Sequence, residues 1–226
     1  MVIAVQFTQV RAVLFDLDGT LIDSAPDLAA AADTLRVESG LPSLPLSAYR
    51  AHVGSGARGM LRVAFDVGPE DALFDGYKHA FFKAYEACLT VRTEAFDGVQ
   101  AMLERIVAAG MVWGVVTNKA ERFSLPLTAA MPIFKSASAI VSGDTTPHAK
   151  PHPAPLLEAA RRVGVAPEHC VYVGDDLRDI LAGKAAGMQT VAARYGYLGP
   201  QADVAAWNAD AEMHSPIDLL KLLELP

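Results

Sequence analysis

The sequence predicts an α/β fold, with a Rossmann-like, doubly wound parallel sheet as its core and an all-helical domain inserted after the first strand. Apolar runs typical of buried strands recur at residues 11–16, 112–117, 138–142, 170–174 and 189–193. Helical patterns lie between most of them, and a repeated strand–helix order favours parallel pairing. Residues 22–95 break this order, because they contain helical patterns and no convincing strand.

The first strand is followed at once by acidic residues. Ala12-Val13-Leu14-Phe15 precedes Asp16-Leu17-Asp18-Gly19-Thr20. Open α/β sheets bind ligands beyond the carboxyl ends of their strands. Side chains two residues apart on a strand share a face, so Asp16 and Asp18 are predicted to converge on one site if the extended geometry persists.

The inserted domain is predicted to contain several helices. Ser24 and Asp27 resemble a capping box that starts a helix running to about Gly40, with Pro26 in its first turn. Further helices are expected near 57–66 and 70–90, with a proline-punctuated loop before them. We therefore predict an α/β core over 1–21 and 96–226 and a helical domain over 22–95.

The later helices are predicted from apolar spacing and glycine stops. Helical patterns over 99–107, 156–163 and 177–185 end shortly before Gly110, Gly164 and Gly187. Each pattern lies between two predicted strands or follows one, as a doubly wound sheet requires.

Composition narrows the class of protein. The chain has 226 residues, 52% of them hydrophobic, and a net charge of -7. This charge argues against bulk attraction to nucleic acid or to anionic membranes. No apolar run reaches the length of a membrane span. Met1 to Val10 lack the features of a signal peptide, so a cytoplasmic location is expected.

The two cysteines, Cys88 and Cys170, are not in a metal-binding spacing and are expected to be reduced, buried thiols. Nothing in the sequence determines the oligomeric state.

Further chemistry-bearing residues follow the later strands. Thr117 and Asn118 end one strand, Lys150 precedes a helix, and Gly174-Asp175-Asp176 ends another strand, with Asp179 one helical turn on. Acids, a hydroxyl and a lysine suit phosphoryl transfer, because a cation must neutralise phosphate before an anionic nucleophile attacks. Carboxylate oxygens are ligands that magnesium prefers, and a lysine binds phosphate oxygens.

These motifs together resemble the haloacid-dehalogenase superfamily of phosphohydrolases. The matching set, in the order of that family, is Asp16-x-Asp18-x-Thr20, Thr117, Lys150 and Gly174-Asp175 with Asp179. The helical insert is similar to the small cap of the phosphoglycolate-phosphatase branch. Residues 113–119, 174–180 and 194–197 also look like bacterial N-acetylmuramic acid 6-phosphate phosphatases, so either substrate remains open.

The resemblance implies a role for each motif residue. Asp16 would be the nucleophile that forms an aspartyl-phosphate, and Asp18 the general acid and then the base. Thr117 and Lys150 would bind phosphate. Mg²⁺ would be held by Asp16, the Asp18 backbone carbonyl and Asp175, while Asp179 would complete the metal shell or orient Lys150. Substrate contacts are expected from Thr20, Asn118, Gly56 and Arg58.

Several assignments stay open at this stage. Asp176 either joins the acidic site or caps the helix that follows it. Ser55, Gly56 and Arg58 either bind an anionic substrate or form a turn with a solvated helix face. Lys119 and Arg122 either edge the pocket or begin a solvated helix.

The leading prediction is a magnesium-dependent phosphatase acting on a small phosphate monoester. A hydrolytic dehalogenase is one alternative, although it needs neither magnesium nor an acid such as Asp18. A non-enzymatic, receiver-like module that accepts phosphate on an aspartate is another, although it has no need for the long helical insert.

Overall fold

The fold of the chain is known from a computed structural model that describes residue 7, residues 9–199 and residues 202–225. The strands are β1 (Ala12–Phe15), β2 (Ile22–Asp23), β3 (Glu94–Ala95), β4 (Val112–Val116), β5 (Ala139–Val141), β6 (Cys170–Gly174), β7 (Gln189–Ala193) and β8 (Ala211–Met213). The helices are α1 (Ala25–Glu38), α2 (Leu46–Arg50), α3 (Gly56–Phe65), α4 (Phe74–Glu86), α5 (Val99–Ala108), α6 (Glu121–Ala130), α7 (Ala154–Val163), α8 (Leu177–Ala185) and α9 (Asp218–Leu222).

Within the described residues, six strands form one sheet in the order β5-β4-β1-β6-β7-β8, and every neighbouring pair is parallel. The predicted α/β class and the five predicted strands are confirmed. Strand order runs outward in both directions from β1, so the carboxyl ends of β1, β4 and β6 meet at the switch point where such sheets bind ligands. β8 was missed because it is three residues long and carries a charged residue, Glu212, at its centre.

Both faces of the sheet are covered. Val13 and Phe15 of β1 join a hydrophobic cluster with helices α5 and α9, whereas Ala12 and Leu14 join a second cluster with α7 and α8. All four side chains are fully buried. The strand therefore reads as a continuous apolar run, as expected for a parallel strand between two helical layers.

Residues 22–95, here called the helical segment, contain helices α1 to α4, which pack around their own hydrophobic cluster. Met60, Leu61, Phe81 and Tyr85 are buried in it together with small residues of α1. Phe123, which belongs to α6, also packs into this cluster. The helical segment is thus internally packed and also rests against the edge of the sheet where the strands end.

The two crossings between the helical segment and the sheet form an antiparallel pair, in which Ile22 and Asp23 of β2 face Ala95 and Glu94 of β3. The expectation of no strand within 22–95 is therefore wrong at its two ends. Two-residue strands are too short to leave an alternating pattern in sequence. The loop predicted after Gly40 also contains α2, a single short helix.

The predicted capping box at the start of α1 is wrong. Ser24 occupies the N-cap position, but its side chain makes no capping hydrogen bond and instead donates to the Asp18 carboxylate. Asp27 accepts hydrogen bonds from the backbone N–H groups of Arg92 and Thr93 and from the Thr93 hydroxyl, at 2.7–3.0 Å. Long-range partners outcompete the local ones, and Asp27 ties together the two ends of the helical segment.

Cys170 is buried and Cys88 half-buried, and both are free thiols. Most of Met1 to Val10 lies outside the described residues. Across the part of the chain that the structure describes, no helix has the length and apolar character needed to cross a bilayer.

Candidate active site

The turn after β1 is built around close backbone contacts. The Asp16 N–H donates to the Val173 carbonyl at 2.8 Å, which extends the pairing of β1 with β6 by one residue. Gly19 follows with a φ of +88°, and a Cβ there would lie 2.2 Å from Asp175 Oδ2. Only glycine allows both this backbone conformation and this close approach.

Three acidic side chains meet at the strand ends. One carboxylate oxygen from each of Asp16, Asp175 and Asp179 lies within 4.8 Å of the others. Burial raises the pKa of Asp16 to about 7; Lys150 opposes this shift, and the Asp179 charge adds to it. Burial, followed by repulsion from Asp16 and Asp179, also holds the pKa of Asp175 well above its usual range. Both pKa shifts have the same main cause, the burial of carboxyl groups, and repulsion between neighbouring carboxylates adds to it.

Lys150 is the cation nearest this cluster. Its Nζ lies 2.9 Å from Asp16 Oδ1 and 2.7 Å from Asp179 Oδ1, and its side chain is 2% exposed. It also donates to the Val116 carbonyl and the Tyr172 hydroxyl. Burial alone would lower the pKa of Lys150, but the two carboxylates outweigh it and raise the pKa. The lysine is therefore a fixed positive charge beside Asp16.

The residues present fit a divalent cation. Asp16 Oδ1 is buried, and Lys150, the cation beside it, also contacts Asp179. Three clustered carboxylates that share this lysine form a donor set that suits Mg²⁺. The side chain of Asp18 is not part of this group, so only its backbone carbonyl remains for the metal role expected from the sequence.

Asp18 has a separate set of partners. Lys119 Nζ lies 3.0 Å from each of its carboxylate oxygens, and the Ser24 hydroxyl donates to one of them. The Lys119 side chain is largely buried, and its ammonium lies 4.8 Å from the centre of the Tyr85 ring in α4. The two aspartates after β1 therefore face different cations, with Lys150 beside Asp16 and Lys119 beside Asp18.

The ambiguity over Asp176 is resolved. Its side chain accepts from the Arg178 N–H at the start of α8, and the Asp179 side chain accepts from the Asp176 N–H at 3.0 Å. This reciprocal pair is a capping box. Asp176 thus caps the helix, while Asp179 turns one oxygen to the cap and the other to Lys150.

Close packing by glycines makes room for these acids. A Cβ on Gly174 would lie 2.3 Å from Asp179 Cγ, and one on Gly196 would lie 2.3 Å from Asp175 Cβ. The next backbone N–H, that of Tyr197, donates to Asp175 Oδ2 at 2.8 Å. The loop after β7 therefore supports the acidic cluster, which the sequence analysis did not foresee.

A pocket of about 390 Å³ lies between the acids and the helical segment. One part of its wall is apolar and largely aromatic, formed by Leu28, Val53, Phe81, Phe82, Tyr85 and Phe123. The remainder is mostly polar or charged and includes the acids, both lysines and residues 54–58. The pocket therefore has a charged end beside the acids and an apolar, largely aromatic end.

The predicted substrate residues fall into two groups. Gly56 and Arg58 line the pocket, as does Asn118. The Asn118 amide, however, accepts from the Lys150 N–H and donates to the Lys150 carbonyl, so its polar atoms hold the lysine loop. The expected substrate contact of Thr20 is wrong, because Thr20 is fully buried and its hydroxyl donates to Asp175 Oδ1 at 2.8 Å. Its place is behind the acid rather than against a substrate.

Thr117 lies in the pocket wall with its side chain almost fully buried. Its hydroxyl oxygen accepts from the Lys119 N–H at 3.1 Å. Arg122 is not among the pocket-lining residues; it is half-exposed and lies 3.5 Å from Glu86 of α4.

A family model matches residues 13–193, which include every one of these acids and both lysines; its description is haloacid dehalogenase-like hydrolase. The chain belongs to the haloacid dehalogenase-like hydrolases. This confirms the resemblance stated from the sequence motifs.

Relatives that align with this hydrolase over nearly the whole of both chains are named as phosphatases. It is 47% identical over 212 residues to the phosphoglycolate phosphatase of Xanthomonas campestris pv. campestris, covering 92% of this chain and 94% of the relative. It is 37% identical over 216 residues to the N-acetylmuramic acid 6-phosphate phosphatase of Pseudomonas aeruginosa, covering 96% of each. The crystal structure of a predicted phosphoglycolate phosphatase from Haemophilus somnus superposes with a TM-score of 0.83 at 30% identity, covering 96% of this chain and 99% of that one.

Two residues of this hydrolase contact site residues in a way that was not predicted from the sequence. Lys119 was left open as a possible part of a solvated helix, and Arg178 was not singled out at all. Both lie next to a motif residue in the chain, Lys119 after Asn118 and Arg178 between Asp176 and Asp179. Their adjacency to the motifs was the available signal, but their partners are more than 100 residues away.

Proposed function

We propose that this phosphoric monoester hydrolase removes phosphate from a small phosphorylated metabolite, with Mg²⁺ as cofactor and Asp16 as nucleophile. The observation that carries the proposal is the largely buried cluster of Asp16, Asp175 and Asp179 with Lys150 against it. Three carboxylates and one lysine leave an excess of negative charge, which a divalent ion would balance. The relatives named as phosphatases support the same reaction class.

Mg²⁺ bound by Asp16, Asp175 and the Asp18 carbonyl, with Asp179 nearby, would supply charge neutralisation between the phosphate and the acids. Asp16 would attack phosphorus and form an aspartyl-phosphate, which splits one difficult step into two. Lys150 would bind a phosphate oxygen and hold Asp16 in place, and Thr117 would bind a second oxygen. Asp18 would give a proton to the leaving oxygen and later take one from the attacking water.

Residues 22–95 are proposed to act as a cap over these groups, with 1–21 and 96–226 as the core. The segment packs around its own cluster and contributes residues 53–58 and all of the apolar wall except Phe123 to the pocket. Its two connections meet as the short β2–β3 pair, where a small rotation could open the pocket. Closure would exclude water until the substrate is committed.

The substrate is proposed to be phosphoglycolate or a sugar phosphate such as N-acetylmuramic acid 6-phosphate. Both names occur among the relatives. The pocket volume of about 390 Å³ lies within the range typical of sites for ligands well above two carbons in size. The pocket and its aromatic wall therefore favour the sugar phosphate, with Gly56 and Arg58 in contact with it.

A panel of phosphate monoesters that includes both compounds, assayed with Mg²⁺ and with excess chelator, tests this function. We expect release of inorganic phosphate with Mg²⁺ and none with chelator. Turnover unaffected by chelator, or halide release from haloacids in place of phosphate release, would favour the dehalogenase alternative. Stoichiometric phosphorylation of the protein without turnover would favour the receiver-like alternative.

A further inference from the structure

Residues 53–58, here called the recognition loop, are the part of the helical segment that carries Gly56 and Arg58 to the pocket. The loop comprises the short 3-10 helix Val53–Ser55 and the first turn of α3. Its position relative to the acids decides where a bound substrate meets the helical segment.

The loop packs closely against its surroundings. Gly56 has a φ of +57° and a ψ of -141°, a conformation that side-chain-bearing residues rarely adopt. A Cβ on Gly59 would lie 2.1 Å from the His52 carbonyl oxygen, so the loop packs tightly on the start of α3. Val53 is buried in the hydrophobic cluster of the helical segment. The loop is therefore expected to move as one unit, and a single tether is enough to place it.

That tether is Arg178. Its Nη2 donates to the Gly54 carbonyl at 2.6 Å, across 124 residues of sequence. The same guanidinium donates from Nε and Nη2 to the two oxygens of Asp176, at 2.7 and 2.8 Å. Within the described residues, this is the one hydrogen bond between the recognition loop and the part of the chain that carries the sheet.

The tether also connects to the acidic cluster. Asp176, which orients Arg178, forms the capping box of α8 with Asp179, and Asp179 contacts Lys150. A planar guanidinium that binds a carboxylate through two hydrogen bonds has few remaining orientations. The Asp176 contact therefore orients the remaining Nη2 donor of Arg178 towards the Gly54 carbonyl. The start of α8 thus defines the position of the acids and of the recognition loop together.

We propose that Arg178 is a positioning residue that seats the recognition loop and thereby sets affinity for the part of the substrate beyond its phosphate. The inference rests on the proposed function, since it assumes that the loop contacts the substrate. Arg178 itself lines the pocket, but the role assigned to it is to hold the Gly54 carbonyl, with no part in phosphate binding or bond breaking.

Steady-state kinetics of Arg178→Gln test this assignment, with the panel substrate that has the highest wild-type kcat/KM and with inorganic phosphate as competitive inhibitor. We expect KM to rise about tenfold, the scale of one charge-assisted hydrogen bond, with kcat and the phosphate inhibition constant changing less than about threefold. Arg178→Lys, which keeps a donor for Gly54, should recover part of the loss. Arg122→Gln is the matched control. Arg122 of α6 also contacts the helical segment, through Glu86, but it lies outside the pocket lining.

The outcomes distinguish the role of Arg178 from the proposed phosphatase activity. An unchanged KM, or equal weakening of substrate and inorganic phosphate, overturns the role of Arg178 and leaves the phosphatase intact. Wild-type protein without phosphatase activity contradicts the proposed function itself. If Arg178→Gln fails to fold, as judged by circular dichroism and thermal melting, the KM and inhibition constant of Arg178→Lys decide by the same criteria.

Discussion

Lys119 places its ammonium 3.0 Å from both carboxylate oxygens of Asp18, although 101 residues separate the two in sequence. The lysine stem is buried, and the ammonium faces the Tyr85 ring of α4. Burial would lower the pKa of Lys119, but the charge of Asp18 and the contact with Tyr85 outweigh it and raise the pKa. The proposed acid–base residue is therefore oriented by a permanent cation that itself touches the helical segment.

Lys119→Met should lower kcat/KM by about 10- to 100-fold, because misplacing a catalytic group by about 1 Å has effects of this size. Methionine keeps the apolar stem against Tyr85 but cannot hold the Asp18 carboxylate. Phosphate release from the best panel substrate measures the effect. Lys135→Met, which removes an exposed lysine, is the control and should stay near wild type. Wild-type kcat/KM in Lys119→Met would show that Asp18 needs no such support.

Asp16→Asn should reduce kcat by at least about 10³-fold, because the amide oxygen is a poor nucleophile for the covalent step. The buried volume is nearly unchanged, so the circular dichroism spectrum and the cooperative melt should persist. Asp97→Asn, at an exposed position, should retain full activity. Substantial turnover by well-folded Asp16→Asn protein would remove the nucleophile from the proposal.

Magnesium should stabilise the protein against heat, because it relieves the repulsion among Asp16, Asp175 and Asp179. At a concentration 100 times Kd, ligand linkage stabilises the native state by about 2.7 kcal/mol, which gives a measurable rise in Tm. Potassium chloride at equal ionic strength serves as the control. Asp175→Asn should lose most of the magnesium-dependent rise, and a full rise in this variant would place the ion elsewhere.

Asp27→Ala should destabilise the fold by about 3 kcal/mol, because buried N–H donors lose their acceptor. Asp27 is 1% exposed and accepts from two backbone N–H groups and the hydroxyl of residues 92–93. Urea denaturation measures the change in the free energy of unfolding. Glu38→Ala, at the exposed end of the same helix, should change stability by less than about 0.5 kcal/mol. A similarly small effect of Asp27→Ala would mean that the stability of the fold does not depend on this side chain.

Prediction from sequence succeeded where a residue's environment depends on its neighbours in the chain. The strand of residues 12–15 was recognisable because both of its faces are buried, which leaves an unbroken apolar run. Asp16 and Asp175 were placed at strand ends because each directly follows such a run or its glycine. The short strands at 22–23, 94–95 and 211–213 were not predicted, because two or three residues are too few to show an alternating pattern.

Local reasoning failed where a distant partner competes for the same side chain. Ser24 and Asp27 have the spacing of a capping box, yet Asp18 and Thr93 bind them more favourably in the folded chain. Thr20 was expected at the substrate and is taken instead by Asp175. Polar groups that fold into a dry interior find whichever partner completes their hydrogen bonds, and sequence spacing does not reveal it.

The sequence alone determined the parallel α/β architecture, the position of the helical insert and the set of acids, because strand periodicity and strand-end placement are local properties. Only the tertiary structure decided which cation faces which aspartate, that Asp176 caps a helix, and that Arg178 reaches Gly54. These pairings join residues up to 124 positions apart. They form because packing of the helical segment on the sheet brings these charged groups together. A buried charge without a partner is energetically costly, so burial selects one specific pairing.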